Sequence, residues 1–295
     1  MQNKLTVKDS SIAFISSFII GQLAVAIVSV ATMFILKACN QDLDMVNTFF
    51  STGFGYLILV LALYSSLLCV FIYFNKGKNN NIAAKPKVLK IVFYALIAVA
   101  SFLCLYPIVT CFDSLLVELG AKINTLDYPL TTKNYFISII SLVLAPAIVE
   151  ELIFRGLIFK GLKKHGKFFS IFLNGIMFSI FHMAISQTIY PLLMGMVFAV
   201  IMYYENNIYY CITAHLVNNF LTLTLSYFNI SLIVNSVSYI ILAVILLLVF
   251  LTTLAFAIFK KRDTQNKEKL TKKDWIYLVV SLVVMIIFWV IVNFS

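Results

Sequence analysis

The chain has 295 residues, of which 62% are hydrophobic and 12% carry a charged side chain. That charged fraction is about half that of a typical soluble domain, and apolar runs of about 20 residues, the length needed to cross a bilayer, recur along the chain. A soluble fold is therefore excluded, and we predict an all-α, polytopic bundle of transmembrane helices. The net charge of +10 arises mainly from lysines in short connectors, so it indicates orientation in a lipid bilayer and no nucleic-acid partner.

Hydropathy predicts about eight to nine spans, with the N-terminal run retained as a membrane anchor. In chain order they cover residues 11–36, 49–74, 91–112, 135–161, 168–185, 187–204, 208–228, 237–259 and 275–293. The runs 168–185 and 187–204 have almost no polar loop between them and could also form one bent element. We divide the chain into an N-terminal transmembrane region (1–134), a core (135–229) and C-terminal transmembrane helices (230–295).

The distribution of lysines predicts the orientation of these spans. Lysines concentrate in the connectors 76–90, 160–167 and 260–273, which fall on one side of the membrane. The alternate connectors are poor in lysine. The positive-inside rule then places the N-terminus in the cytoplasm. The many Asn, Lys, Ile and Phe residues fit an AT-rich bacterial genome, so we expect a multi-pass protein of a bacterial plasma membrane.

The fourth predicted span carries charges that a bilayer disfavours. An ionisable side chain deep in a bilayer costs roughly 2.5 to 3.5 kcal/mol, so such residues usually face the bundle interior and mark a site. Glu151 and Arg155 are four residues apart, with the acid N-terminal, which favours an ion pair. Glu150 points about 100° away around the helix and lacks that partner, which suits a general base. Alternatively, both acids serve only to bind Arg155 or a neighbouring helix.

Two histidines and an asparagine lie in other predicted spans. His182 ends the segment Phe178 to His182, and His215 shares a helix face with Asn219. Each alone is more typical of packing or of a hydrogen bond between helices. Counting ~1.5 Å per residue from the cytoplasmic ends puts Glu150 and Asn219 at ~16 Å, His215 at ~10 Å and His182 at ~20 Å depth. A base, two imidazoles and an amide can therefore meet near mid-membrane, as acyl-transfer chemistry requires.

These motifs resemble a known family. E-E-x-x-x-R at Glu150 to Arg155, F-x-x-x-H at Phe178 to His182 and H-x-x-x-N at His215 to Asn219 occur in this order. The ordered set resembles the CPBP family of intramembrane proteases, which includes CAAX-processing and bacteriocin-processing (Abi) proteins related to the Ras-converting CAAX endopeptidase. Gly195 also fits the family pattern. The resemblance covers roughly residues 135–229.

The resemblance implies an endopeptidase that acts on membrane-associated peptides or proteins. Glu150 and His182 would activate a water, and His215 and Asn219 would bind the oxyanion formed from the scissile carbonyl. Glu151 with Arg155 would order the site. Among bacterial relatives, the implied roles are processing of bacteriocin leaders or peptide pheromones, or self-immunity.

Three alternatives remain open at this stage. A Glu and two His could bind zinc, but the chain lacks an H-E-x-x-H pair, so we expect no metal and no other cofactor. A non-enzymatic scaffold that regulates a sensor or other membrane partner is the second alternative, suggested by the flanking spans. A transporter is the third, although we find no inverted repeat. The substrate and the oligomeric state do not follow from the sequence.

Overall fold

The computed structural model describes residues 4–39, 41, 44–120, 132–228, 230 and 267–294, with isolated positions between 241 and 255. All regular structure in these residues is helical, which confirms the all-α part of the predicted fold class. We number the principal helices in chain order: α1 (Val7–Ala38), α2 (Asp44–Phe50), α3 (Gly53–Asn75), α4 (Val88–Glu118), α5 (Asn134–His165), α6 (Lys167–Phe181), α7 (Ile189–Glu205), α8 (Ile208–Tyr227) and α9 (Lys272–Phe294).

Five of the described helices are long and apolar enough to cross a membrane, namely α1, α3, α4, α5 and α9. The helices α6 and α7 are apolar but shorter, and they are separate elements joined by residues 182–188. Helix α8 has 20 residues but is interrupted by polar side chains and is not among the five. The structure thus supports a multi-pass protein without confirming eight or nine spans. Most of the predicted span 237–259 lies outside the described residues.

Helix α5 lies at the centre of the bundle and is the most buried of the five candidate spans. It packs against α1, α3 and α8. Two apolar clusters meet on it: one is built mainly with α1, α3 and α6, and the other with α4, α7 and α8. The residues of α5 that face these clusters are therefore removed from lipid, which is the environment in which charged side chains can be paired.

Helix α5 is not a regular α-helix. The seven residues Ala145–Glu151 form an α-helical segment between two π-helical segments, Ile139–Leu144 and Leu152–Ile158. Such π segments are rare and often occur at functional sites. Side chains from neighbouring elements bind three carbonyls near the second segment: Phe154, Gly156 and Ile158 accept hydrogen bonds from Asn174, Asn80 and Ser10 at 2.9, 2.7 and 3.0 Å.

The described parts of the three basic connectors meet at one end of the bundle. Lys160 Nζ lies 3.5 Å from the carbonyl oxygen of Asn81. Lys164 pairs with Glu268 at 2.6 Å and, through this hydrogen bond, lowers the pKa of the Glu268 carboxyl. This agrees with the prediction that these connectors share one side of the membrane. A cytoplasmic N-terminus stays a prediction.

Candidate active site

Glu151 forms a buried cluster with Arg155 and His215. Its Oε1 accepts a hydrogen bond from the Arg155 guanidinium at 2.8 Å and lies 2.9 Å from His215 Nδ1. Both Glu151 and Arg155 are completely buried. Because a carboxylate only accepts, His215 carries a proton on Nδ1, and its Nε2 points away from Glu151. The predicted ion pair is therefore present, and it also orients an imidazole from α8.

Arg155 makes further contacts with α6 and α7. Its second terminal nitrogen donates to the carbonyl of Gly195 at 2.9 Å. The guanidinium carbon lies 4.5 Å from the ring centre of Phe178 and 5.1 Å from that of Phe198, both within cation–π range. A Cβ on Gly195 would approach Gly175 Cα to 3.2 Å. Glycine at this position thus allows α6 and α7 to pack closely around the arginine.

Glu150 faces a different direction from Glu151, as its position in the sequence predicts. The Tyr64 hydroxyl of α3 donates to Glu150 Oε1 at 2.8 Å. The other oxygen, Oε2, lies 4.0 Å from His215 Nε2. That separation exceeds hydrogen-bond length, so Oε2 is not directly bonded to His215. Glu150 is 7% exposed, and that exposure opens onto a cavity.

His182 lies at the C-terminal end of α6. The chain leaves the helix through Met183, which has a left-handed backbone conformation with φ of 54°. His182 Nδ1 is 2.8 Å from the carbonyl of Phe178, so Nδ1 carries the proton and Nε2 is an acceptor in the neutral ring. Asn293 of α9 clamps this turn by donating to the Met183 carbonyl and accepting from the Ile185 backbone N–H.

Asn219 belongs to a chain of polar contacts that starts on α7. The Tyr190 hydroxyl donates to Asn218 Oδ1. The Asn218 amide then donates to Asn219 Oδ1 at 3.2 Å. Because the oxygen of Asn219 is used in this way, its NH₂ group is the end that is left to donate elsewhere. Asn218 therefore sets the orientation of the Asn219 amide.

A cavity of about 940 Å³ brings the four predicted catalytic side chains together. Glu150, His182, His215 and Asn219 all line it, whereas Glu151 and Arg155 lie behind its wall. A second cavity of about 230 Å³, on the α1 side, shares Glu150 and His182 with the first. Among the described residues, no group of three His, Cys, Asp or Glu side chains is placed to hold a metal ion.

Sequence reasoning missed two residues of this site and misplaced a third residue that lines the cavity outside it. Tyr64 lies on a flanking helix 86 positions before Glu150, and no short motif links the two. Asn218 was adjacent to a predicted residue but was given no role. Asp113 was predicted to lie in a connector, but the structure places it inside α4 and on the cavity wall. The apolar sequence on both sides of Asp113 was a signal for this location.

Comparison with known families supports the resemblance seen in the motifs. Residues 132–221 match the family model described as type II CAAX prenyl endopeptidase Rce1-like. The matched segment begins just before α5, ends within α8 and contains Glu150, His182, His215 and Asn219. No curated protein and no solved structure matches the chain. Residues 132–221 are therefore similar to the CAAX protease (CPBP) family.

Proposed function

We propose that this protein is an endopeptidase that hydrolyses peptide bonds within the membrane, with Glu150 as the general base. The observation that carries the proposal is the position of Glu150 Oε2. It lies on the cavity wall, 4.0 Å from His215 Nε2, and its partner oxygen is held by Tyr64. Polar atoms at this separation can both contact one bridging water. A carboxylate that is buried, fixed and open to such a water has the geometry of a general base.

The reaction follows from these positions. Glu150 Oε2 takes a proton from the water, and the water oxygen attacks the carbonyl carbon of the scissile peptide. His182 orients the same water by accepting its second hydrogen at Nε2. The C=O electron pair moves to the carbonyl oxygen, which becomes an oxyanion. When the C–N bond breaks, protonated Glu150 returns its proton to the leaving amine, so no covalent enzyme intermediate is needed.

The oxyanion requires hydrogen-bond donors. The NH₂ group of Asn219 supplies one, because Asn218 already occupies its oxygen. His215 supplies a second when Nε2 is protonated, with the Glu151 carboxylate at Nδ1 as the counter-charge of the imidazolium. Removing one such donor typically lowers kcat by about 100- to 1,000-fold. Glu151 and Arg155 order the site from behind the wall.

The cavity indicates the size and kind of the substrate. Its wall combines aromatic and aliphatic side chains with a few polar groups, which is typical of a site that binds an extended and partly apolar ligand. We propose that the substrates are membrane-associated peptides or protein segments, including leader peptides of bacteriocins or pheromones. Prenylated peptides belong in the test because the matched family is named for them.

The test compares wild type with Glu150→Ala in detergent. Both are incubated with a pool of membrane-active, leader-type and farnesylated peptides, with and without a chelator, and new termini are identified by mass spectrometry. Glu118→Ala is a matched control, since Glu118 is an exposed acid at the end of α4. We expect wild type and Glu118→Ala to cleave and Glu150→Ala to lose at least about 1,000-fold activity.

Two results would contradict the proposal. Full cleavage by Glu150→Ala would remove Glu150 from the mechanism. Absence of new termini with wild type, both in the peptide pool and in the membrane fraction of cells that express it, would reject a protease and favour the scaffold. Loss of cleavage with chelator would instead replace the metal-free mechanism with a metal-dependent one.

A further inference from the structure

The large cavity runs from the candidate active site towards the lysine-poor end of the bundle. On α4 it is lined by Phe102, Tyr106, Val109 and Asp113, whose spacing places them on one helix face. Since α4 starts at the basic connector 76–90 and ends at Glu118, Asp113 lies near its lysine-poor end. The cavity-lining residues of two other helices extend in the same direction. Those of α3 extend to Tyr56 near its N-terminus, and those of α8 extend to Ser226 near its C-terminus.

The described lining of this cavity contains acidic side chains and no basic ones other than histidine. Among the described residues that line it, the carboxylates are Glu150 and Asp113, and there is no lysine or arginine. Arg155 lies behind the wall and is paired with Glu151. Asp113 Oδ1 is buried and has no hydrogen-bond partner in the part of the chain that the structure describes. Asp113 as a whole is only partly buried, but an oxygen that is shielded from water without a partner is unfavourable, and a cationic group in the cavity would satisfy it.

Two aromatic rings strengthen the cation site. Tyr106 lies about two turns before Asp113 on the same face of α4, and Tyr56 lines the cavity at the matching end of α3. Aromatic faces attract ammonium and guanidinium groups, especially where water is scarce. An acid in a cavity that is also lined by two tyrosines therefore suits a lysine or arginine side chain.

The distance from the site to Asp113 sets the position of this cation in a substrate. The Phe102 ring contacts the Tyr190 ring, and Tyr190 donates to Asn218, so Phe102 lies near the level of the candidate oxyanion site. Asp113 is 11 positions further along α4, or ~16 Å at ~1.5 Å per residue. An extended peptide rises ~3.3 Å per residue and spans this distance in about five residues.

We infer that this protein cleaves peptides that enter from the lysine-poor end of the bundle and carry a lysine or arginine about five residues from the scissile bond, with Asp113 as its counter-charge. The inference rests on the proposed function. The opposite end is unsuited to a basic peptide, since it is surrounded by lysines of the three basic connectors. If the positive-inside rule holds for this chain, the substrate arrives from the extracytoplasmic side.

The experiment moves one lysine along a parent peptide that wild type cleaves in a Glu150-dependent manner. For each position, kcat/KM is measured with wild type, Asp113→Asn and the control Glu118→Gln, which removes an exposed acid from the same helix. We expect one position, about five residues from the scissile bond, to raise kcat/KM by about tenfold in wild type and in Glu118→Gln. Asp113→Asn should lose this preference and still cleave the neutral parent, because the substitution removes an unpaired charge without changing the shape.

A charge reversal separates recognition from a folding defect. Asp113→Lys should prefer a glutamate at the position where wild type prefers a lysine. Equal rates at all lysine positions in wild type, or a preference that persists in Asp113→Asn, would overturn the inference and leave the protease proposal intact. Cleavage that persists in Glu150→Ala would instead reject the proposed mechanism, and the lysine series would still report on Asp113.

Discussion

The hydroxyl of Tyr64 is the one side-chain donor that the described structure supplies to Glu150, and its removal tests how the base is held. In Tyr64→Phe the ring stays and only the hydrogen bond to Oε1, 2.8 Å long, is lost. Glu150 is then free to rotate away from His215, from which its other oxygen is 4.0 Å distant. We therefore expect slower catalysis with little change in substrate binding.

The size of this effect follows from the kind of bond. A hydrogen bond to a charged group contributes about 1.5 to 3 kcal/mol, and about 1.4 kcal/mol corresponds to a tenfold change in rate. Because part of this stabilisation applies equally to the resting enzyme, we expect kcat to fall by about tenfold. KM should change by less than about twofold, since the ring that lines the cavity is retained.

The assay is steady-state cleavage of one peptide by wild type, Tyr64→Phe and Tyr73→Phe. Tyr73 lies on the same helix and is exposed, so its variant should match wild type. Unchanged kcat in Tyr64→Phe would show that Glu150 is positioned without α3. A rise in KM with constant kcat would make Tyr64 a substrate contact rather than a positioning residue.

Two further predictions concern stability in detergent. Arg155→Met should lower the free energy of unfolding, measured by denaturant titration, by about 3 to 5 kcal/mol, because it leaves the buried Glu151 without its cation. Adding Glu151→Gln to this variant should recover part of the loss. If the free-energy changes of the two single variants simply add up in the double variant, the ion pair is contradicted. Gly161→Ala should cost about 1 to 3 kcal/mol, because its Cβ would lie 2.5 Å from the Thr6 carbonyl oxygen. Gly156→Ala should cost less in the same titration, since its nearest neighbours are side-chain ends at 3.1 and 3.2 Å.

The parts of the site that depend on local spacing could be predicted from the sequence. The i, i+4 relation gave the Glu151–Arg155 pair, which the structure shows at 2.8 Å. The separate direction of Glu150 followed from the helical repeat. Counting residues from the cytoplasmic helix ends predicted that Glu150 and His215 can meet near mid-membrane. The structure places Glu150 Oε2 4.0 Å from His215 Nε2. The membrane restricts where such side chains can lie, because an isolated charge in lipid is too costly to leave unpaired.

The parts that depend on tertiary packing could not be predicted in this way. The carbonyls of the second π segment of α5 accept hydrogen bonds from Asn174, Asn80 and Ser10, which lie in distant parts of the chain. The acceptor role of Asn219 towards Asn218 is a choice of amide orientation that no spacing encodes. Asp113 was assigned to a connector because an acid at the end of a predicted span is typical of a connector, although apolar residues also follow it.

The contacts of the flanking helices bear on the scaffold alternative. That alternative was motivated by spans that a protease core of residues 135–229 does not obviously need. In the structure, α3 supplies Tyr64 to Glu150, α4 supplies a cavity wall, and Asn293 of α9 holds the turn that follows His182. Each of these three helices therefore fixes or encloses a group of the candidate site, so its presence is explained by the site itself. Replacing Asn293 with Leu while preserving the rest of α9 should consequently lower peptide cleavage, whereas a scaffold in which the catalytic groups are idle would be indifferent to it.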